Sequence, residues 1–344
     1  MSDVAEIYSK IVQKRFLFIF LFLILSSLIS LVNLIVGPAK LSVLEILQSL
    51  TSPSKNTASV VVWEYRLPWT LMAILVGGAL GLAGLQMQTI LNNPLASPYT
   101  LGISSGAGFG AALAYVLGIH IIAVPSEFIV PINAFVFSFL TCMLILLIGK
   151  VRGFTSETLI LGGIAISFMF QSLLALLEYY ASEEALQAIV FWLFGSLTKA
   201  SLLKAQIVAV VLVAVTILLL FRSWKITALR LGEEKAKSLG VDVESLRVEI
   251  LLYVSILTSV AICFVGIIGF VGLVAPHIAR ILLGEDQRFL IVGSILCGGL
   301  ILSAGAVVSK TIVPGAIFPI GIITSMLGIP FFLFLVLKGR REIW

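Results

Sequence analysis

Residues 229–247 read LRLGEEKAKSLGVDVESLR, and they lie between two long apolar runs. Charged residues are only 11% of the 344-residue chain, against about 25% in an ordinary soluble domain. Yet Lys225 to Arg247 alone carries nine of the 39 charges, 22 basic and 17 acidic. A chain that is apolar nearly everywhere and gathers charge in one internal, helix-forming loop presents that loop to a soluble partner. The runs on either side therefore belong in a different solvent from the loop.

Composition agrees. Hydrophobic residues make up 60% of the chain and the mean hydropathy is +1.17, more than a water-soluble core requires. A helix needs about 20 apolar residues to cross a bilayer. Phe16–Val36, Trp69–Leu91, Phe128–Gly149, Thr158–Leu177, Ala205–Phe221, Ile250–Gly269, Phe289–Ser309 and Phe318–Leu337 all qualify. The glycine-rich Pro98–Gly118 is read as a further span, and Leu273–Leu283 as a half-length helix. The expectation is an all-α polytopic membrane protein of about ten helices, one transmembrane domain over residues 1–344. The first run follows Lys10, Lys14 and Arg15 as a secretory signal would. It exceeds the usual signal core and lacks a following A-x-A site, so it reads as a retained helix.

Basic residues prefer the cytoplasmic side. With the amino terminus inside and ten crossings or re-entries, only Lys40, Lys55, Arg66, Lys199, Lys204 and Lys310 fall outside, and the other 16 of the 22 fall inside. Both termini and the 222–247 loop are then cytoplasmic. The net charge of +5 is a topogenic signal and gives no support to nucleic-acid binding.

Cys142, Cys263 and Cys297 sit singly within apolar spans, and His120 and His277 have no carboxylates or thiols around them in sequence. No metal site is expected. Within the spans the polar groups are mostly amides such as Gln86, Gln88, Asn133 and Gln171, while Glu178 and Glu249 fall at span ends. Ion-coupled carriers usually bury titratable groups mid-membrane, so self-powered transport is disfavoured, although backbone carbonyls also bind sodium in some carriers. Gly102, Gly106 and Gly110, like Gly77 and Gly81 one helix earlier, recur at four-residue spacing. Such stripes let helix backbones approach closely; packing within the subunit is the main expectation, a sliding or dimer-forming face the second.

Two loops stand out. Asn92-Asn93-Pro94-Leu95-Ala96-Ser97-Pro98 is a compact turn whose prolines restrict the residues before them. In the charged loop, Glu233 to Leu239 favours helix throughout apart from Ser238, and Gly240 stands where a left-handed cap is wanted. The loop is expected to form two short amphipathic helices joined at that glycine, a knob for a groove on another protein.

The chain resembles, over essentially its whole length, the FecCD-type permeases of ABC importers for iron-siderophores, haem and vitamin B12. The matching pieces, in order, are Arg66-Leu67-Pro68, the Gly77–Gln88 segment, Asn93-Pro94-Leu95-Ala96 with Pro98, and Leu101-Gly102-Ile103-Ser104-Ser105-Gly106-Ala107. They continue with Leu231-Gly232-Glu233 through Ser238-Leu239-Gly240-Val241, and Gly269-Phe270-Val271-Gly272-Leu273-Val274-Ala275-Pro276-His277-Ile278-Ala279-Arg280. Pro319-Ile320-Gly321 and Gly328-Ile329-Pro330-Phe331-Phe332 complete the pattern.

The resemblance implies a type II ABC importer permease: ten helices per subunit, pairing with a second permease subunit as homo- or heterodimer, and no catalysis of its own. Two cytoplasmic ATPase subunits would hold ATP and Mg, and an extracytoplasmic substrate-binding protein would dock outside. This chain has no G-x-x-x-x-G-K-[ST] phosphate loop and is expected to bind no cofactor itself. The resemblance assigns ATPase coupling to Glu233, Glu234, Ala236 and Gly240, and binding-protein docking to Arg66 and Lys310. Asn93, Pro94, Gly102, Gly106, Pro276 and His277 are family motif positions near the pathway, His277 with a packing role. Trp69 stands where the family commonly has a second arginine, and Ala306 where an aspartate usually precedes the late basic residue. The implied cargo is first an iron-siderophore, then haem, then cobalamin, moved by alternating access across a bacterial or archaeal cytoplasmic membrane. An ion-coupled secondary transporter is the alternative; a membrane-embedded enzyme would need a cluster of reactive groups near one interface, which the sequence does not show.

Overall fold

The computed structural model describes residues 2–119, 121–313 and 315–338. His120, Arg340 and Arg341 lie outside them, as does the side chain of Lys338. The described residues form helices and connecting turns: α1 (Ser2–Ile35), α2 (Val43–Thr51), α3 (Thr57–Val60), α4 (Leu67–Ile90), α5 (Ile103–Leu117), α6 (Ser126–Arg152) and α7 (Ser156–Tyr180). There follow α8 (Glu183–Leu193), α9 (Leu202–Leu229), α10 (Glu233–Ser238), α11 (Val243–Val265), α12 (Val271–Leu283), α13 (Gln287–Thr311) and α14 (Ile320–Lys338).

Among the described residues, seven helical stretches are long and apolar enough to cross a membrane, and three apolar helices, α5, α12 and the Ile320–Leu333 part of α14, are shorter. These ten correspond to the ten expected segments, with corrections at the ends. The first helix begins at Ser2, far ahead of Phe16. The second runs unbroken from Thr57 to Ile90, through a wider π-helical stretch at Val61–Arg66. The Pro98–Gly118 span is largely half of one: residues 98–102 are turn, and helix starts only at Ile103, behind Gly102 at φ +80°. Helix α8 was not anticipated, being too short and too acidic at its start for a membrane window. Ser182 followed by Glu183 and Glu184 is nonetheless a sound start signal, and the Ser182 side chain accepts from the Ala185 amide.

The centre of the bundle is α4. In its most apolar window 83% of the residues are buried, against 22% in that of α1, which lies on the outside of the bundle. Helix α4 can be central because its glycines admit other backbones. A Cβ on Gly77 would strike the carbonyl of Gly298 on α13, and one on Gly84 would strike Gly272 on α12. The second stripe works likewise: Gly106 and Gly110 lie against Thr141, Phe137 and Asn133 of α6. The four-residue spacing thus serves packing within the subunit at both places. Amides join the same helices, Gln86 donating to Gln287 (3.3 Å), Gln287 to Thr89 (3.3 Å) and Gln88 to the carbonyl of Leu273 (3.3 Å).

Candidate functional site

The charged loop folds into one short helix, and the second expected helix is simply the first turn of the long α11. Helix α10 ends in a Schellman motif: the amide of Val241 donates to the carbonyl of Ala236 (3.0 Å) and that of Gly240 to Lys237 (2.9 Å). Gly240 is at φ +81°, the conformation that a β-branched residue resists. Arg247 bolts this knob to the bundle, and two further arginines brace the segments beside it. Arg247, buried, donates to the carbonyls of Ile90 (3.1 Å) and Phe154 (2.8 Å) and pairs with Glu233. Arg230 reaches Asn92 (3.1 Å) and Glu285 (3.0 Å), and Arg280 pairs with Glu285 (3.3 Å) while donating to Gln88 (3.1 Å).

Of the four coupling residues expected here, Glu234 and Gly240 are exposed, and Glu233 is exposed though anchored by Arg247. Ala236, at 0% exposure, is on the inward side of α10. The exposed apolar residues of the knob are Leu231 (58%) and Leu239 (50%). Sequence reading placed both within the family motif but gave neither a coupling role.

At the opposite end of the bundle, Arg66 and Lys310 do not reach solvent. Arg66 is 2% exposed, and its guanidinium donates to the carbonyls of Leu34 (3.1 Å), Ile35 (2.6 Å) and Ala39. Lys310 is 7% exposed and donates to the carbonyl (2.8 Å) and Oδ1 (2.6 Å) of Asn33. Both cations satisfy carbonyls left open at the C-terminal end of α1, where positive charge is favoured. The docking role expected of them has no exposed charge to act through in this conformation. The two departures from the family pattern also find their place. Trp69 lies beneath the Lys310 ammonium (5.7 Å to the ring centroid), and with the buried Ala306 offering no carboxylate, Asn33 takes the lysine.

Of the remaining motif residues, Gly102 and Gly106 pack against α7 and α6, while the Asn93-Pro94 turn adjoins a cavity. The Asn93-Pro94 turn, in which Asn93 Oδ1 accepts from the Leu95 amide (3.0 Å), carries Leu95, Ser97, Tyr99 and Thr100 to the wall of a cavity of about 640 Å³. Phe270 and Phe332 face it from other segments. Phe270, at the start of α12, holds φ +64°, a strained conformation for an aromatic residue and a frequent mark of a functional site. Pro276 lies within α12, and His277 is buried with its ring edge-on to Phe331 (5.6 Å between centroids). The residues lining this cavity are apolar or carry hydroxyls.

A second cavity of about 740 Å³ lies towards the Lys310 end, walled by Tyr115, Glu127, Trp192, Lys199, Lys204 and Phe264 among others. A thin layer of backbone separates the two. Residues 191–196, 264–269 and 317–322 each contribute to both cavities. They are tied across by Ser196 N–H to Val265 (2.7 Å), Ile320 N–H to Gly195 (3.2 Å) and Gly321 N–H to Phe194 (3.0 Å). The crossing is tight enough that a Cβ on Gly266 would strike the Trp192 carbonyl.

Comparison with known proteins bears on what this arrangement does. The model of the FecCD transport family matches residues 21–338. A protein of Methanocaldococcus jannaschii that carries the name of an ABC transporter permease is 40% identical over 99% of this chain and 100% of its own length. A protein of Helicobacter pylori named as a probable iron chelatin transport system permease is 38% identical over 83% of this chain and 85% of its own. Among solved structures, one described as an inward-facing conformation of a metal-chelate type ABC transporter superposes with a TM-score of 0.82, 32% identity, and coverage of 93% of this chain and 99% of that one.

Proposed function

The chain belongs to the FecCD transport family, and from that premise we propose that it is the translocating subunit of an ATP-driven importer of an iron chelate. It is a multi-pass membrane protein and a permease component of an ABC transporter family. The knob around Gly240 docks an ATPase subunit on the cytoplasmic face, where the bias of basic residues also puts the amino terminus. Closing of an ATPase dimer moves the knob, and the helices bolted to it tilt between inward- and outward-open states. A second permease subunit completes the path, and a binding protein delivers cargo to the other face. An iron-siderophore is the first choice of cargo, ahead of haem and cobalamin, and the iron chelatin name of the Helicobacter pylori relative supports that order.

The observation that carries this reading is the rigid mounting of α10. A loose solvated connector has no need of a buried arginine, Arg247, that joins Glu233 of α10 to the carbonyls of Ile90 and Phe154, whereas a lever that must transmit displacement does. The test is reconstitution of the chain with its ATPase in proteoliposomes. Uptake of an iron chelate should require ATP and collapse when residues 233–240 are replaced by a flexible linker. Uptake driven by an ion gradient without nucleotide would overturn the reading and favour a secondary carrier.

A further inference from the structure

The two cavities differ in charge. The 640 Å³ cavity has no charged residue in its wall among the described residues. The 740 Å³ cavity has two ammonium groups and one carboxylate. Lys204 donates to the carbonyl of Lys199 (3.0 Å) and lies 3.8 Å from Glu127, which offsets its charge. Lys199 pairs with no carboxylate among the described residues; it donates to the Tyr115 hydroxyl (3.2 Å) and lies 5.8 Å from the centroid of that ring. Ser196 and Thr198 hydroxyls, 2.8 Å apart, sit in the same wall. The rest of the wall is aliphatic and aromatic, the aromatic faces being those of Phe191, Trp192 and Phe264.

This is a site of cationic and hydroxyl donors set against flat aromatic faces. Such a wall suits a ligand that has an oxygen-rich, negatively charged surface and rings to stack. Its volume falls within the range of ligand-sized pockets, several hundred cubic ångströms, and far exceeds the needs of a bare oxyanion. A cationic chelate would meet Lys199 with like charge, and Glu127, the one carboxylate among the described residues of the wall, is already engaged by Lys204.

We propose that the 740 Å³ cavity is the reception site for an anionic metal chelate with aromatic ligand arms, held by Lys199 and Lys204, before it passes the backbone layer at Gly195, Gly266 and Gly321. This rests on the permease reading and specifies its cargo by charge. The uncharged second cavity then binds the same chelate weakly, so that it is not retained once across.

The test is equilibrium binding of radio-iron chelates to the full-length chain in nanodiscs, without ATPase or nucleotide, so that it does not depend on coupling. The probes are a trianionic iron(III) tris-catecholate and a monocationic iron(III) trihydroxamate with a free ammonium. The tris-catecholate should bind more tightly, with affinity falling as salt rises. Lys199→Gln, at an exposed side chain, should weaken it about fivefold, while Lys55→Gln, which removes an equal charge elsewhere, should not. Glu127→Gln releases Lys204 and should tighten binding, a gain that misfolding cannot imitate. Equal or tighter binding of the cationic chelate, no binding of either, or indifference to both cavity variants would overturn the proposal. ATP-dependent uptake of a chelate alongside any of these outcomes would leave the permease reading standing.

Discussion

The ammonium of Lys310 lies 2.6 Å from Oδ1 of Asn33 and 2.8 Å from its carbonyl oxygen, joining α13 to the last turn of α1 across 277 residues of chain. Asn33 is wholly buried and the lysine nearly so. A buried cation that loses an acceptor carries the cost of its own desolvation, about 1–3 kcal/mol or more. Asn33→Ala should therefore lower the melting temperature of the purified chain by several degrees with no partner present. Arg66→Glu should lower it further, because a carboxylate would face the carbonyls that the guanidinium now satisfies. Unchanged melting in both variants would return these cations to a role in docking a binding protein.

Gly240 makes a second prediction, at the knob. Its φ of +81° costs a non-glycine residue about 1–2 kcal/mol and a β-branched one more. Gly240→Val should disturb the cap and reduce the ATPase recovered with the chain in a pull-down to a small fraction of wild type. Gly240→Asn, which tolerates the left-handed region, should largely restore it. Equal recovery with the valine variant would show that the cap geometry does not matter to docking.

Asp286 caps α13 just outside the membrane span and pairs with Arg288 (2.7 Å) and Arg15 (3.2 Å). Its hydrogen bonds from Arg288 hold the carboxyl below the usual 3.8, against the opposing effect of partial burial. A depressed carboxyl stabilises the fold above its unfolded value and loses that contribution as pH falls through its folded value. Asp286→Asn should then melt earlier than wild type at neutral pH, and the two curves should draw together as the pH falls below 3.8 and meet once it has passed the lowered folded value. A constant gap at all pH values would mean that the ion pairs do not stabilise the helix start.

Hydropathy alone placed the ten apolar helices, because bilayer thickness makes each span a long, nearly uncharged run. It failed where a segment is neither long nor uniform. Helix α8 has 11 residues with two glutamates at its start, and the turn at 98–102 has the composition of a span without its geometry. The left-handed cap at Gly240 was legible because it is a local matter of backbone conformation. The fate of Arg66 and Lys310 was not: a basic residue at a span end reads as solvated unless its acceptors are known, and these lie at the end of α1 and just beyond it. Ala236 illustrates the same limit on a smaller scale, since family resemblance marks a position without saying which way it points.

Arg247 is the residue on which transmission, as distinct from docking, should depend. It touches the ends of α4 and α6–α7 through the carbonyls of Ile90 and Phe154, and α10 through Glu233. No lysine can bridge those three acceptors, since a single ammonium lacks the planar fork of guanidinium donors. Arg247→Lys keeps the charge and leaves the outward face of α10 intact, so the ATPase should still copurify and hydrolyse ATP. Each lost hydrogen bond to a charged group is worth about 1.5–3 kcal/mol, enough to let α10 move independently of α4. The expected result is more ATP consumed per chelate imported, by roughly tenfold for every 1.4 kcal/mol of coupling lost. Faster amide exchange over residues 233–241 should accompany it. A wild-type ratio of hydrolysis to transport in Arg247→Lys would show that the stroke reaches the bundle by another route, of which Arg230 and Glu285 form the alternative link.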